Sequence, residues 1–133
     1  MARQTEKLTV LPPLEALLRG RAVLEDRTCW TKSAPARRPE VHKLPKGRVV
    51  WSYEPTIAMD TRATKWSACG ILNKIYGARS GAPGFAELEA AALGMTGGTT
   101  GIGRLNDDPK TTHAMILAVY DRAITGAKTA LTT

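Results

Sequence analysis

Apolar side chains recur at intervals of three and four in several stretches of this chain, and alternate in one. After Pro12-Pro13, residues Leu14, Leu17, Leu18, Ala22 and Val23 keep helical spacing. They predict a first helix over about 13–26, because proline's fixed φ and missing N–H are tolerated in an opening turn. Residues 31–48 change character: Pro35 and Pro39 interrupt regular structure, and Pro45-Lys46-Gly47 is a turn signal. The flanking runs Val41–Leu44 and Arg48–Tyr53 read as a small β-hairpin near residues 41–53, the second run being rich in β-formers. Asp60 stands where an N-cap belongs, and Trp66, Cys69, Leu72, Ile75 and Tyr76 follow at helical spacing up to Gly77. This predicts a second helix over about 61–76. Its stripe of small residues, Ala63, Ser67 and Gly70, marks it as the expected centre of the fold. A short third helix is expected over Phe85–Leu93, with Phe85, Leu88, Ala91 and Ala92 inward and Gly94 as its stop. The last helix starts at Thr111 as N-cap, carries Met115, Ile116, Val119, Tyr120, Ala123 and Ile124 on one face, and closes at Gly126.

These elements predict a mainly α (α+β) fold, about four helices around one core with a small hairpin. A flexible arm over 1–10, a single globular domain over 11–126 and a frayed tail over 127–133 complete the expected organisation. At 133 residues, one core is what the length supports. Its expected members are Leu17, Leu18, Trp66, Leu72, Ile75, Leu88, Ile116, Val119, Tyr120 and Ile124. No apolar run approaches the roughly 20 residues needed to span a bilayer. Arg3, Glu6 and Lys7 near the N-terminus have no apolar region after them of the secretory kind, so a cytoplasmic protein is expected.

Charge adds a candidate surface. The chain has a formal net charge of +7, and Lys32, Arg37, Arg38, Lys43, Lys46 and Arg48 crowd into one segment with Glu40 as its sole acid. Clustered cations are what an anionic partner requires, whether nucleic acid or an acidic protein; a solvated basic loop is the competing reading. Trp30, Trp51 and Tyr53 lie beside the cluster, and aromatics among cations can stack on bases. Trp51 and Tyr53 share one face of the expected strand, so that face is either core or platform. The usual burial of large aromatics favours the core for Trp51. No helix carries the row of Arg and Lys that major-groove entry needs.

Candidate chemistry is sparse. Cys29 and Cys69 could pair with His42 or His113 in a small cysteine-dependent hydrolase or transferase, but Cys69 sits among apolar neighbours where thiols are inert. The same four residues have no compact zinc spacing, so neither metal nor cofactor is expected. Gly94–Gly103 holds five glycines among ten residues, yet lacks a Gly-Lys-Ser/Thr ending and is followed by Asp107 and Asp108, which repel phosphate. It reads as a flexible connector. Asp107 is expected to bond backbone N–H groups near the last helix, and Asp121-Arg122 to pair with polar neighbours.

Trp66-Ser67-Ala68-Cys69-Gly70-Ile71, Asn106-Asp107 and Asp121-Arg122-Ala123-Ile124 together resemble a family of small uncharacterised domains from actinobacteria and their phages. That family has a Trp-Cys-Ala-x-Gly-Ala helix, an Asn-Asp turn and a last helix ending Asp-Arg-Ala-Ile. The family's cysteine falls on Ser67, so a thiol-dependent reaction at that position is impossible here. The resemblance implies no activity. With no coherent catalytic set in the chain, it points to a non-enzymatic accessory or interaction protein, phage- or mobile-element-encoded, that engages nucleic acid or a host nucleoprotein complex through the basic segment, possible inhibition included.

Overall fold

Pro12 and Pro13 open helix α1, Pro13–Leu24, in the computed structural model, which describes residues 11–78 and 81–131. The expected arm over 1–10 lies outside the described residues. Ala16, Leu17, Gly20 and Leu24 form the buried face of α1. Leu18 is turned about 100° from Leu17 and is exposed, a correction to its expected place in the core. At Gly20 the helix approaches its neighbour so closely that an added Cβ would stand 3.0 Å from the Tyr120 hydroxyl.

A short 3₁₀ turn at Arg27–Cys29 leads to strand β1, Ala36–Lys43, which turns through Pro45–Gly47 into β2, Val49–Thr56. The hairpin is longer than the sequence predicts. Its pairing runs without interruption from Ala36 opposite Thr56 to Lys43 opposite Val49. A two-residue strand β3, Lys65–Trp66, adds antiparallel to β1, giving the order β2-β1-β3. Because β3 accompanies β1 only at Ala36 and Arg37, Pro39 lies where β1 has a single neighbouring strand, a position that tolerates a missing N–H. The Tyr53 carbonyl accepts from the Arg37 guanidinium at 3.2 Å.

The second helix corrects the sequence reading most. Helix α2 spans only Gly70–Tyr76. Asp60 caps no helix; its carboxylate accepts from the Arg62 N–H two residues on, and Ala63 N–H bonds the Asp60 carbonyl, closing a turn. Lys65 and Trp66 are drawn into the sheet. Helix α3, Phe85–Met95, buries Leu88, Ala91 and Ala92 but leaves Phe85 exposed and runs past Gly94. The glycine-rich connector ends in an unexpected helix, α4, Ile102–Asp107, which buries Ile102, Leu105 and Asn106. Its opening N–H, from Ile102, is held by the Glu89 carboxylate of α3 at 2.7 Å.

Helix α5, His113–Leu131, is the axis of the fold. Thr112, one residue beyond the expected cap, accepts from the Met115 N–H. Ile116, Val119, Tyr120, Ala123, Ile124 and Ala127 are buried against α1 and α3, so α5 and not the Ser67 segment is central. The helix continues through Gly126 and most of the expected tail. Leu17, Leu72, Leu88 and four of these α5 side chains join the core as expected, with Trp66 and Ile75 half-buried against it. Among the described residues no helix is long and apolar enough to cross a membrane.

Candidate interaction surface

In a pleated hairpin, directly opposed residues share a face and neighbours along a strand alternate between faces. The register therefore sorts the sheet without ambiguity. One face carries Ala36, Arg38, Glu40 and His42 with Thr56, Glu54, Ser52 and Val50. The other carries Arg37, Pro39, Val41 and Lys43 with Pro55, Tyr53, Trp51 and Val49. Lys65, opposite Arg37, joins the second set.

The first face is mostly polar, and its charged groups pair with one another. Arg38 lies 2.8 Å from Glu40 and 3.1 Å from Asp60, and the Ser52 hydroxyl joins His42 to Glu54. Asp60 is held well below the usual carboxylate range, first by the Arg62 backbone N–H, then by the Thr56 hydroxyl and by the Arg38 and Arg62 guanidiniums. Trp66 donates from its indole to the Ala58 carbonyl on this side. The second face looks into solvent. Trp51 is 66% and Tyr53 50% exposed, with Val41 and Val49 exposed beside them. Along β2 the half-buried positions are Ser52, Glu54 and Thr56 and the exposed ones are apolar. That inverts the usual pattern of a half-buried strand, where apolar residues face inward. The sequence placed Trp51 in the core; the structure turns it to solvent.

The six predicted cations divide. Lys43 ends β1 on the outer face, and Lys46 and Arg48 stand in the turn; all three are exposed and have no carboxylate partner among the described residues. Arg37, at the base of the outer face, is tied by the Thr31 hydroxyl and the Lys32 and Tyr53 carbonyls, yet no carboxylate neutralises it. Arg38 is on the opposite face, paired with Glu40 and Asp60. Lys32, ahead of β1, donates to the Asp108 carbonyl at 2.6 Å and lies near the Trp30 ring. Sequence reasoning missed Lys65, whose ammonium lies 4.5 Å over the Tyr53 ring; only the β3 pairing reveals it. The outer face and tip thus gather Arg37, Lys43, Lys46, Arg48 and Lys65 around Trp51 and Tyr53, with no acid among them.

What holds this hairpin to the helices is a network around Asn106, which is buried. Its carbonyl oxygen accepts from the Trp30 indole at 2.7 Å and from the Ala68 N–H at 3.0 Å. Its amide donates to the Thr31 carbonyl and to Asp107. Asp107 in turn accepts from the N–H of Ser33, whose backbone is left-handed at φ 64. Ser67 binds the Pro35 carbonyl through its N–H and accepts from the Gly70 N–H through its hydroxyl. The Ala68 carbonyl accepts from the buried Tyr120 hydroxyl at 2.6 Å, and Asp121 pairs with Arg21 of α1 at 2.6 Å.

A family model described as "Family of unknown function (DUF6197)" matches residues 8–126. The chain belongs to that family. No curated protein and no solved structure matches it. In this DUF6197 chain two of the motifs that carry the resemblance meet at Asn106, and the third, on α5, packs in the helical core and pairs with α1. Trp66 and Ser67 dock on the start of β1, Ala68 and Asn106 join across the interior, and Ala123 and Ile124 fill the core. The first two motifs build the base on which the hairpin stands.

A cleft of about 350 Å³ opens beside that base, lined by residues including Ser33, Ser67, Cys69, Asn73 and Asp107. Its polar groups are largely committed. The Ser67 hydroxyl holds Gly70, and Asn106 has both acceptor and donor sides filled. Burial, followed by the charges of Glu89 and Asp107, pushes the Cys69 thiol up to about 12. His113 donates to the Leu24 carbonyl, and His42 is bonded to Ser52. Neither imidazole is joined to a thiol, and no cluster of His, Cys, Asp and Glu suited to a metal occurs among the described residues.

Proposed function

We propose that this protein is a non-enzymatic interaction module that engages an anionic macromolecular partner through the outer face and tip of its β-hairpin. The observation that carries this reading is the inverted strand: β2 turns Val49, Trp51 and Tyr53 to solvent while Ser52, Glu54 and Thr56 face the protein. A contiguous exposed apolar surface marks an interaction site far more often than scattered single residues do. Here Lys43, Lys46 and Arg48 border it at the tip, and Lys65, which lies near Asp26, borders it at the base. Nucleic acid, free or within a nucleoprotein complex, has the opposite charge, and so has an acidic protein face. The cysteine-dependent alternative has less behind it: the Cys69 thiol, pushed up to about 12, is almost wholly protonated at neutral pH, and His42 and His113 are bonded to Ser52 and the Leu24 carbonyl.

Titration with heparin as a generic polyanion, followed by calorimetry over a range of salt, tests the charge half of the proposal. The triple variant Lys43→Gln, Lys46→Gln, Arg48→Gln should bind more weakly. Its log–log salt dependence should be shallower by about 2 to 3 units, the release expected from three lost contacts. A matched variant that removes Arg104, Lys110 and Lys128 instead should keep the original slope. Equal loss in both variants would mean that heparin reads net charge and not the hairpin.

A further inference from the structure

We infer that the partner is a single-stranded nucleic acid, a base of which stacks on Trp51 while Lys43, Lys46 and Arg48 contact its phosphates. The inference rests on the hairpin being the interface and names what sits there.

Three features of the outer face select this occupant. First, both aromatics lie on one exposed face, two residues apart along β2, a rise of about 7 Å; Trp51 is the open ring, while Tyr53 carries the Lys65 ammonium over it. Bases in a duplex are stacked every 3.4 Å or so along each strand and offer no free ring face at that spacing. An unpaired strand, whose bases can splay, offers a base to the Trp51 ring. Second, the cations flank the rings and do not form a separate patch. Lys65 lies over Tyr53, and Lys43 shares the outer face with Trp51. A chain that alternates flat π-surfaces with phosphates matches that arrangement, which is the general design of single-strand binders. Third, no carboxylate interrupts the face, because Glu40 and Glu54 both belong to the other side of the sheet. An acidic polypeptide would answer the charges but would leave the Trp51 ring, more exposed than any other aromatic ring described, without a flat counterpart.

The test compares ligands by fluorescence anisotropy at fixed salt: a labelled oligothymidylate or oligouridylate of about 15 nucleotides, a duplex of equal length, and polyglutamate. Charge alone would rank the duplex first, since it carries more phosphates per unit length. Stacking reverses that order, so the single strand should bind more tightly than the duplex. Trp51→Ala should weaken single-strand binding by about 5- to 150-fold, the range for loss of one stacked base, while leaving duplex and polyglutamate binding unchanged. Trp51→Phe, which keeps a smaller ring, should fall between. Trp51 is exposed, so neither variant removes core packing. A duplex or polyglutamate that binds as tightly as the single strand, or Trp51→Ala binding like the parent protein, would overturn the inference and leave the hairpin as an interface for something else. Failure of all the polyanions to bind would defeat the hairpin reading itself.

Discussion

Asn106→Ala is expected to destabilise the protein by about 3–5 kcal/mol, because it orphans three groups at once, one buried and two half-buried. The Trp30 indole N–H, the Ala68 N–H and the Thr31 carbonyl all take their bond from this one side chain. Each buried group left unpaired costs about 1–3 kcal/mol; the sum is reduced because the vacated space admits water. For a chain of this size the midpoint of thermal unfolding should fall by roughly 10–20 °C, measurable by circular dichroism. Asn106→Asp makes a sharper version. It keeps the acceptor for Trp30 and Ala68 but sets a charged oxygen against the Thr31 carbonyl and the Asp107 carboxylate. A carboxyl so placed titrates above its unfolded value, so this variant should gain stability as pH falls through that range while the parent protein does not. A fall of less than about 1 kcal/mol in the alanine variant would mean that the network is not what joins the sheet to the helices.

Gly70→Ala is expected to cost roughly 3 kcal/mol, or to prevent folding, for a steric reason. A Cβ at Gly70 would stand 1.9 Å from the Pro35 carbonyl oxygen and 2.9 Å from its carbon. Those atoms are backbone, and the Pro35 oxygen already accepts from the Ser67 N–H where β1 begins. No side-chain rotation relieves the clash; either α2 or the start of β1 has to move, and overpacking of this kind typically costs 1–3 kcal/mol or somewhat more. Gly126→Ala supplies the contrast. Gly126 lies inside α5 with nothing within 4 Å of an added Cβ, so the same substitution there should stabilise by about 0.5–1 kcal/mol through helix propensity. Urea unfolding of the two variants side by side checks both signs.

The parts of the fold legible in the sequence are those in which local chemistry and tertiary packing agree. Pro12-Pro13 with the leucines of α1, the Pro45-Lys46-Gly47 turn, and the apolar face of α5 were all readable for that reason. Illegible parts are those where a distant partner decides. Asp60 looks like a helix cap, yet Thr56 and Arg38 compete for its carboxylate, and Lys65–Trp66 pair with β1. Helix α4 has no cap of its own, because Glu89, thirteen residues earlier, supplies it. Pro39 reads as a breaker and sits within β1, since the third strand stops short of it. At the candidate surface, the sequence identified the basic cluster and the shared face of Trp51 and Tyr53, but average burial of aromatics pointed that face inward. Only the register shows it turned outward. The division of the cations was equally out of reach: Arg38 and Arg37 are adjacent in sequence and lie on opposite faces.

The central claim is that the outer face of the hairpin is where this DUF6197 protein meets its partner. Amide chemical-shift mapping of the isotope-labelled protein, titrated with a short single-stranded oligonucleotide, tests it most directly. The largest shifts should fall on Val41, Lys43, Lys46, Arg48, Val49, Trp51, Tyr53 and Lys65, with the Trp51 indole signal moving most and those of Trp30 and Trp66 holding still. Shifts concentrated instead on Ser33, Asn73 and Asp107 around the cleft, or spread thinly over α1, α3 and α5, would contradict it.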